Sequence, residues 1–208
     1  SSWLYLSRLS AQREFQNMEG LHALKFPVPE AIDHNRHCVV MSRIEGNLLN
    51  NISALTNPER VFNEIIDLCV NLLKIGVVHA DCTQFNIIIN EKDEQITLID
   101  FPQCLKHTDP EAEEKFNHDL NELRKFFELR FNLEIESIPQ FKDFLDEIIP
   151  VDIIGKGKPI EEEEEDGKDE DKRIIEKVSK ENKLKRKPKK SKETKTMTKL
   201  RLEVKAFQ

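Results

Sequence analysis

Aromatic residues are concentrated in the first three quarters of this 208-residue chain. Eleven of the twelve phenylalanines and the only Trp and Tyr lie in residues 1–155, whereas residues 156–208 contain one aromatic residue, Phe207. A segment with so little apolar surface cannot offset the conformational entropy that ordering costs. The sequence therefore predicts a folded body up to about residue 150 and a disordered charged tail over residues 151–208.

The net charge divides at the same place. Residues 1–155 carry 14 basic and 26 acidic side chains, a net of −12, and residues 156–208 carry 18 basic and 13 acidic, a net of +5. Within the tail an acidic block, residues 161–171, precedes a basic block, residues 172–205. The basic block could contact RNA phosphates or serve as a nuclear-import signal, and a plain solvated tail is the alternative. Without interleaved aromatic residues it offers no means of reading bases.

Three broad classes of protein are disfavoured. The sequence contains no apolar run of 18 residues, so it predicts no membrane-spanning helix and no membrane partner. The first residues lack the basic and apolar regions of a signal peptide, which argues against export. The four cysteines are far apart in sequence, and we interpret them as reduced intracellular thiols, not as a zinc site or a disulfide framework.

The apolar pattern of the body predicts an α+β domain that is mostly helical with one small hairpin. The spacing predicts helices over residues 7–24, between Asn57 and Gly76, after Asp109-Pro110 and after Pro139. Residues 36–44 are predicted to contain a short buried strand. Two β-branched runs, residues 87–89 and 96–99, are joined by a short polar turn and predict the hairpin.

Polar residues with chemical potential cluster at the two ends of this hairpin. Asp81 precedes it, Asn86 opens it and Asp100 closes it, so the hairpin brings them together. An amide oxygen and a carboxylate on adjacent chains form a hard-oxygen site suited to Mg²⁺. A second carboxylate nearby can orient a nucleophile or accept its proton, as phosphoryl transfer requires. Taken singly, each residue has a structural alternative as a turn, cap or strand-end residue.

Several motifs in order resemble the atypical RIO kinases, and the second RIO subfamily in particular. Residues 77–86 resemble the catalytic loop of these kinases, and residues 99–103 resemble their metal loop, where Pro replaces the usual Gly. Residues 3–11, 26–29 and 35–37 resemble the second subfamily. The resemblance covers residues 1 to about 149 and implies the C-terminal lobe of a protein-kinase-like fold in residues 51–150. Residues 1–50 would be a remnant of the N-lobe, with a helix and a hinge strand.

The resemblance also implies roles for the hairpin residues and two cofactors, ATP and Mg²⁺. Asp81 matches the catalytic Asp, and Asn86 and Asp100 match the Mg²⁺ ligands. Asp100 further matches the carboxylate that RIO enzymes are thought to phosphorylate transiently, in an ATPase-like step.

Four other positions match family residues. Glu14 matches the helix Glu that pairs with the ATP-binding Lys, although a solvated helix face is the alternative and the chain has no evident Lys partner for it. Met41 to Ile44 match the hinge that contacts adenine. Asp119 matches a buried Asp that braces the catalytic loop, with an exposed helix position as the alternative.

Some departures from the family pattern leave two explanations open. The chain has no Gly-rich phosphate loop, no Val-Ala-x-Lys strand and no winged-helix domain, so we expect either a fragment of a full kinase or a naturally truncated relative. Ala80 stands where relatives usually carry Gly, and because Ala tolerates a positive φ poorly, we expect a shifted or strained backbone there.

Three functions follow as hypotheses. The first is a RIO-type ATP- and Mg²⁺-dependent serine/threonine kinase or ATPase that matures the small ribosomal subunit, with the pre-small-subunit particle and its rRNA as partners in cytoplasm and nucleus. The second is a catalytically weak or inactive kinase-like module that binds the same particle. The third is an unrelated phosphotransferase with a convergent site.

Overall fold

The computed structural model describes residues 3–154. It contains helices α1 (Trp3–Ala23), α2 (Pro58–Lys74) and α3 (Ala112–Phe131), with 3₁₀ helices at Leu49–Asn51 and Phe141–Glu147. The strands are β1 (Ala31–His34), β2 (Val39–Met41), β3 (Asn47–Leu48), β4 (Val77–Val78), β5 (Ile87–Ile89), β6 (Ile96–Leu98) and β7 (Leu105–Lys106). This confirms the predicted α+β fold with a mostly helical body. Most of the predicted tail, residues 155–208, lies outside the described residues.

The central helix α2 forms where the sequence predicts it. Asn57 caps its first turn, because its Oδ1 accepts the Arg60 N–H at 3.0 Å, and Pro58 occupies the first helical position. Gly76 follows the helix with φ of +83°, a conformation that favours glycine. Helix α2 is buried along most of its length and packs on α3, where the Phe62 and Phe127 rings lie 5.2 Å apart. These two helices form the centre of the core.

The strands form three small antiparallel sheets. The predicted hairpin is confirmed as β5 and β6, and β3 pairs with the other edge of β5. The remaining pairs are β1 with β2 and β4 with β7. One further main-chain bond, from the Ile99 N–H to the main-chain oxygen of Asn86 at 3.0 Å, extends the hairpin ladder. It sets Asn86 directly beside the residue that precedes Asp100, so the hairpin register assembles the site.

The sequence predicts a buried strand in residues 36–44, and the predicted burial is wrong. Strand β2 does form, but Val39 and Val40 are half-buried and Met41 is 36% exposed. Its partner β1, which the sequence pattern did not predict, makes only a two-stranded sheet with it. Helix α1 packs on this two-stranded sheet, and much of the sheet surface stays accessible.

The C-terminal part of the body closes back onto α2. Helix α3 begins at Ala112 and not at Asp109, whose side chain instead accepts the Glu111 N–H at 3.1 Å in the preceding turn. The last predicted helix is a 3₁₀ helix. The chain after it bonds to the end of α2, with the Ile149 N–H donating to the Lys74 oxygen at 2.8 Å. Across residues 3–154, no helix has the length and apolar character needed to cross a bilayer.

Candidate active site

The Asp81 loop leaves strand β4 through a strained backbone. Ala80 has φ of +65°, so the left-handed conformation is kept although Ala replaces Gly, at the steric cost the sequence predicted. The preceding His79 is buried, and its Nε2 lies 3.3 Å from the Ile99 oxygen. Since a carbonyl only accepts, this contact places the ring proton on Nε2. Burial lowers the pKa of His79 to about 4, so the ring is neutral at pH 7.

Two amide side chains hold the Asp81 carboxylate. Asn86 donates from Nδ2 to the Asp81 main-chain oxygen at 2.9 Å and to its Oδ2 at 3.1 Å. Gln103 donates from Nε2 to the same Oδ2 at 3.1 Å. Because both donors use one oxygen, the carboxylate is oriented while no described group donates to Oδ1. That oxygen is the one free to accept a proton from a nucleophile.

Asp119, on α3, supports the loop that carries Asp81. It lies on α3 with 3% of its surface exposed, which excludes the alternative of an exposed helix position. Its carboxylate accepts the main-chain N–H of Cys82, the residue after Asp81. Burial and the nearby charge of Asp81 raise the pKa of Asp119 to about 6, against the lowering effect of the Cys82 bond. The contact matches the bracing role that the resemblance implies.

Asp100 is held differently. It adopts φ of +70°, and within residues 3–154 its carboxylate accepts no hydrogen bond. Burial raises its pKa, and the neighbouring Asp81 charge adds to the shift. Asp100 and Asn86 line one cleft of about 410 Å³. The Asn86 amide nitrogen faces Asp81, which leaves its oxygen without a donor among the described residues.

The donor set fits the Mg²⁺ that the sequence predicted. Asp100 offers an unbonded carboxylate and Asn86 an unbonded amide oxygen, and both are hard ligands. The mutual repulsion of Asp81 and Asp100 would be relieved by a cation. No group of three His, Cys, Asp or Glu side chains converges within the described part of the chain. Asp100 and Asn86 would be the protein ligands, with phosphate oxygens and water in the remaining positions.

The predicted hinge residues line the same cleft. Met41 and Ile44 lie on one side of it, and Ile88 and Ile99 from the hairpin contribute apolar surface close to Asp100. Flat apolar walls beside a few polar groups are typical of sites for ring-containing ligands. The structure thus brings together five of the predicted site residues, Glu14, Met41, Ile44, Asn86 and Asp100, around one cavity.

Glu14 is buried on α1, so the alternative of a solvated helix face is wrong. No Lys or Arg forms an ion pair with Glu14 among residues 3–154. Its carboxylate instead accepts the main-chain N–H of Phe101. Burial and, to a smaller extent, the Asp100 charge raise the pKa of Glu14 to about 7, against the lowering effect of the Phe101 bond. Glu14 therefore contacts the metal loop directly.

Sequence reasoning missed two residues of the site, Asn17 and Gln103. Asn17 is buried on α1 and donates from Nδ2 to the Phe101 oxygen at 2.8 Å. It lies three residues after Glu14, so the two share one helix face, and a polar residue on an otherwise apolar face was the available signal. Gln103 lies within the metal-loop motif, but no spacing rule connects it with Asp81.

Comparison with known proteins agrees with this geometry. The family model described as the RIO domain matches residues 1–142. Serine/threonine-protein kinase rio2 of Dictyostelium discoideum is 48% identical over 143 residues, covering 69% of this chain and 27% of that protein. Serine/threonine-protein kinase RIO2 of Caenorhabditis elegans is 40% identical over 143 residues, with the same two coverages. The chain thus spans about a quarter of the length of these relatives.

Solved structures agree as well. The crystal structure of the Rio2 kinase-ADP/Mg²⁺-phosphoaspartate complex from Chaetomium thermophilum superposes with a TM-score of 0.67 at 36% identity. The match covers 70% of this chain and 46% of the solved one. A second crystal structure of the same kinase gives a TM-score of 0.68 at 30% identity, covering 87% and 57%. Family model, relatives and fold agree, and the chain belongs to the RIO domain family.

Proposed function

We propose that this chain is the catalytic part of an ATP- and Mg²⁺-dependent serine/threonine kinase or ATPase of the second RIO subfamily. The observation that carries the proposal is the joint geometry of three residues. Asn86 binds the Asp81 carboxylate through its nitrogen, its oxygen accepts no bond among the described residues, and it lines one cleft together with Asp100. The relatives named as Rio2 kinases support the same assignment, and one solved relative was crystallised with ADP and Mg²⁺.

In this proposal each residue of the site has one role. The apolar side chains near Met41 and Ile44 bind the adenine ring. Asn86 and Asp100 hold Mg²⁺, which would neutralise the phosphate charge that develops during transfer. Asp81, fixed through Oδ2, accepts the proton of the attacking hydroxyl or water on Oδ1. Neutral His79 fixes the end of β6 near Asp100 and takes no proton at pH 7.

Asp100 has a second proposed role as a transient phosphate acceptor. One carboxylate oxygen would attack the γ-phosphorus of ATP while the bond to the β–γ bridging oxygen breaks and ADP leaves. Water activated by Asp81 would then attack the acyl phosphate and release inorganic phosphate, restoring the carboxylate. A carboxylate that accepts no hydrogen bond among residues 3–154 is available as this nucleophile, and the solved relative is described as a phosphoaspartate complex.

Substitution of the two carboxylates in the full-length protein tests the proposal. Asp81→Asn and Asp100→Asn should each lower ATP turnover by about 100-fold or more, because each removes a group that acts on the reacting atoms. With γ-labelled ATP, a hydroxylamine-sensitive label should form on the wild type, be lost in Asp100→Asn and persist in Asp81→Asn.

The matched control is Asp67→Asn, which changes an exposed carboxylate on α2 that lies outside the cleft lined by Asn86 and Asp100. This variant should keep wild-type turnover and label. Turnover that survives Asp81→Asn and Asp100→Asn as well as it survives the control would refute the catalytic assignment.

We further propose that the protein acts in small-subunit maturation, with the pre-small-subunit particle and its rRNA as partners in cytoplasm and nucleus. The support is the basic block in residues 172–205, which provides phosphate contacts without base readout. Deleting residues 172–208 should abolish a strongly salt-dependent association with rRNA. Equal binding by the shortened chain would contradict this role for the block.

A binding module without turnover is the second candidate. The observation in its favour is Glu14, which bonds to the metal loop and pairs with no described cation. This candidate predicts that particle association survives Asp81→Asn and that the full-length wild type hydrolyses no ATP. Measured hydrolysis would decide against it.

A further inference from the structure

We propose that Asn17 is a positioning residue that holds Asp100 in the conformation needed to bind Mg²⁺. This inference rests on the proposed function, but it concerns a residue to which neither the resemblance nor the motifs assign a role. Asn17 does not touch the cleft. It acts through the main chain of Phe101, the residue directly after Asp100.

The first step is that the Asp100 backbone needs support. A residue other than Gly in the left-handed region costs roughly 1–2 kcal/mol and persists only where its surroundings hold it. Asp100 has φ of +70°, and its carboxylate accepts no hydrogen bond within residues 3–154. The support must therefore come from the neighbouring main chain.

The second step is that α1 bonds both polar groups of the next residue. Glu14 accepts the Phe101 N–H, and Asn17 donates to the Phe101 oxygen at 2.8 Å. The Cys104 N–H also reaches that oxygen, at a longer 3.3 Å. Phe101 is fully buried, and its ring lies 5.2 Å from the His79 ring. Both the main chain and the side chain of Phe101 are thus fixed.

The third step is that the Asn17 bond couples the position of α1 to the main chain of Phe101. Its side chain is 3% exposed, and the bond joins residues 84 positions apart in sequence. A buried bond of this kind is costly to break, because the carbonyl cannot turn to water. Loss of the Asn17 donor should therefore let the Asp100–Phe101 peptide rotate toward ordinary φ, which moves the carboxylate away from Asn86.

The test compares Asn17→Asp with Asn121→Asp in the full chain. Asn17→Asp keeps the side-chain size but sets an acceptor against the Phe101 oxygen. Asn121 makes the same type of bond on α3, from Nδ2 to the Asn117 oxygen at 2.7 Å, and lines none of the clefts around Asp100. Asn17→Ala serves as a second variant without added charge. Near-ultraviolet circular dichroism establishes that each variant is folded.

Hydrogen exchange provides the decisive readout. Residues 98–104 should exchange at least about 10-fold faster in either Asn17 variant than in wild type, while Asn121→Asp leaves them unchanged. Mg²⁺-dependent ADP binding should weaken about 10-fold in the same variants, with metal-free ADP affinity unaltered.

Unchanged exchange in residues 98–104 in both Asn17 variants would overturn the inference, whatever happens to nucleotide affinity. Faster exchange without weaker Mg²⁺-dependent binding would overturn it as well, because the segment would then be held without consequence for the metal. A failure of the proposed function is distinguishable, since it would appear as a wild type that binds no Mg²⁺·ADP at all.

Discussion

The two carboxylates of the site are held in opposite ways. Asp81 accepts bonds from two side-chain amides, and its loop is fixed to Asp119 on α3. Asp100 accepts none within residues 3–154, and its position depends on a left-handed backbone whose next residue is bonded to α1. The proposed proton acceptor is thus held mainly from the helical body, whereas the proposed metal ligand is set by α1. A displacement of α1 should therefore alter metal binding more than it alters the position of Asp81, which keeps its bond from Asn86.

The largest effect should come from Asn86, which donates to Asp81 and lines the cleft beside Asp100. Asn86→Ala removes a donor from Asp81 and a proposed ligand for Mg²⁺, and it should lower ATP turnover about 100-fold to 1000-fold in the full-length protein. The variant should also need more Mg²⁺ for half-maximal turnover. If Asn86→Ala loses turnover with an unchanged Mg²⁺ requirement, the residue acts on Asp81 alone and is not a ligand of Mg²⁺.

Asp119 tests how firmly the body holds the Asp81 loop. Its pKa is about 6 in the fold against 3.8 in an unfolded chain, so the folded state binds more protons between these values. The free energy of unfolding should therefore fall as pH rises from about 4 to about 6, by up to about 3 kcal/mol from this group. Asp119→Asn should flatten that part of the profile in urea titrations at several pH values. Glu14, with its pKa also raised, adds a decrease of the same sign in both proteins.

An Asp119→Asn profile as steep as that of wild type between pH 4 and 6 would show that the carboxylate is not the titrating group. Asp143→Asn provides a comparison, because Asp143 is an exposed carboxylate that bonds a main-chain N–H, that of Gln140 at 2.7 Å, away from the site.

Gln103 should produce a smaller change. Gln103→Ala removes one of the two donors on Asp81 Oδ2 and leaves Asn86 in place, so kcat should fall about 10-fold while KM for ATP stays constant. Gln95→Ala, an exposed substitution next to the hairpin turn, is the control. A change in KM with kcat preserved would mean that Gln103 contacts the nucleotide and does not orient the base.

The smallest effect should be at Ala80. Gly adopts φ of +65° without the steric cost that Ala meets, although it loses more entropy on folding. Ala80→Gly should therefore raise the free energy of unfolding by about 0.5–1 kcal/mol and keep turnover. A destabilised Ala80→Gly would show that the left-handed backbone carries no strain.

How much the sequence predicted depended on how local the determining contacts are. The N-cap Asn57 and the β-branched runs of the hairpin act over a few residues, and both elements formed as predicted. Burial of β2 was mispredicted, because it depends on how many strands and helices cover the strand. Asn17 bonds a residue 84 positions away, and Gln103 one 22 positions away, so only the packed chain could show their roles. The cleft residues were predictable as a set only because the motifs resembled those of a known family.

The orientation of the Asn86 amide has one more consequence. Its nitrogen donates to the Asp81 carboxylate, and its oxygen accepts no bond among the described residues, so one conjugated amide would join that carboxylate to a cation bound at the oxygen. A cation at the oxygen would draw electron density from the nitrogen and make its N–H a stronger donor. The bond that holds Asp81 Oδ2 would then tighten when the metal binds. Loading of the nucleotide site would in this way fix the orientation of the Asp81 carboxylate more firmly, without any movement of the main chain.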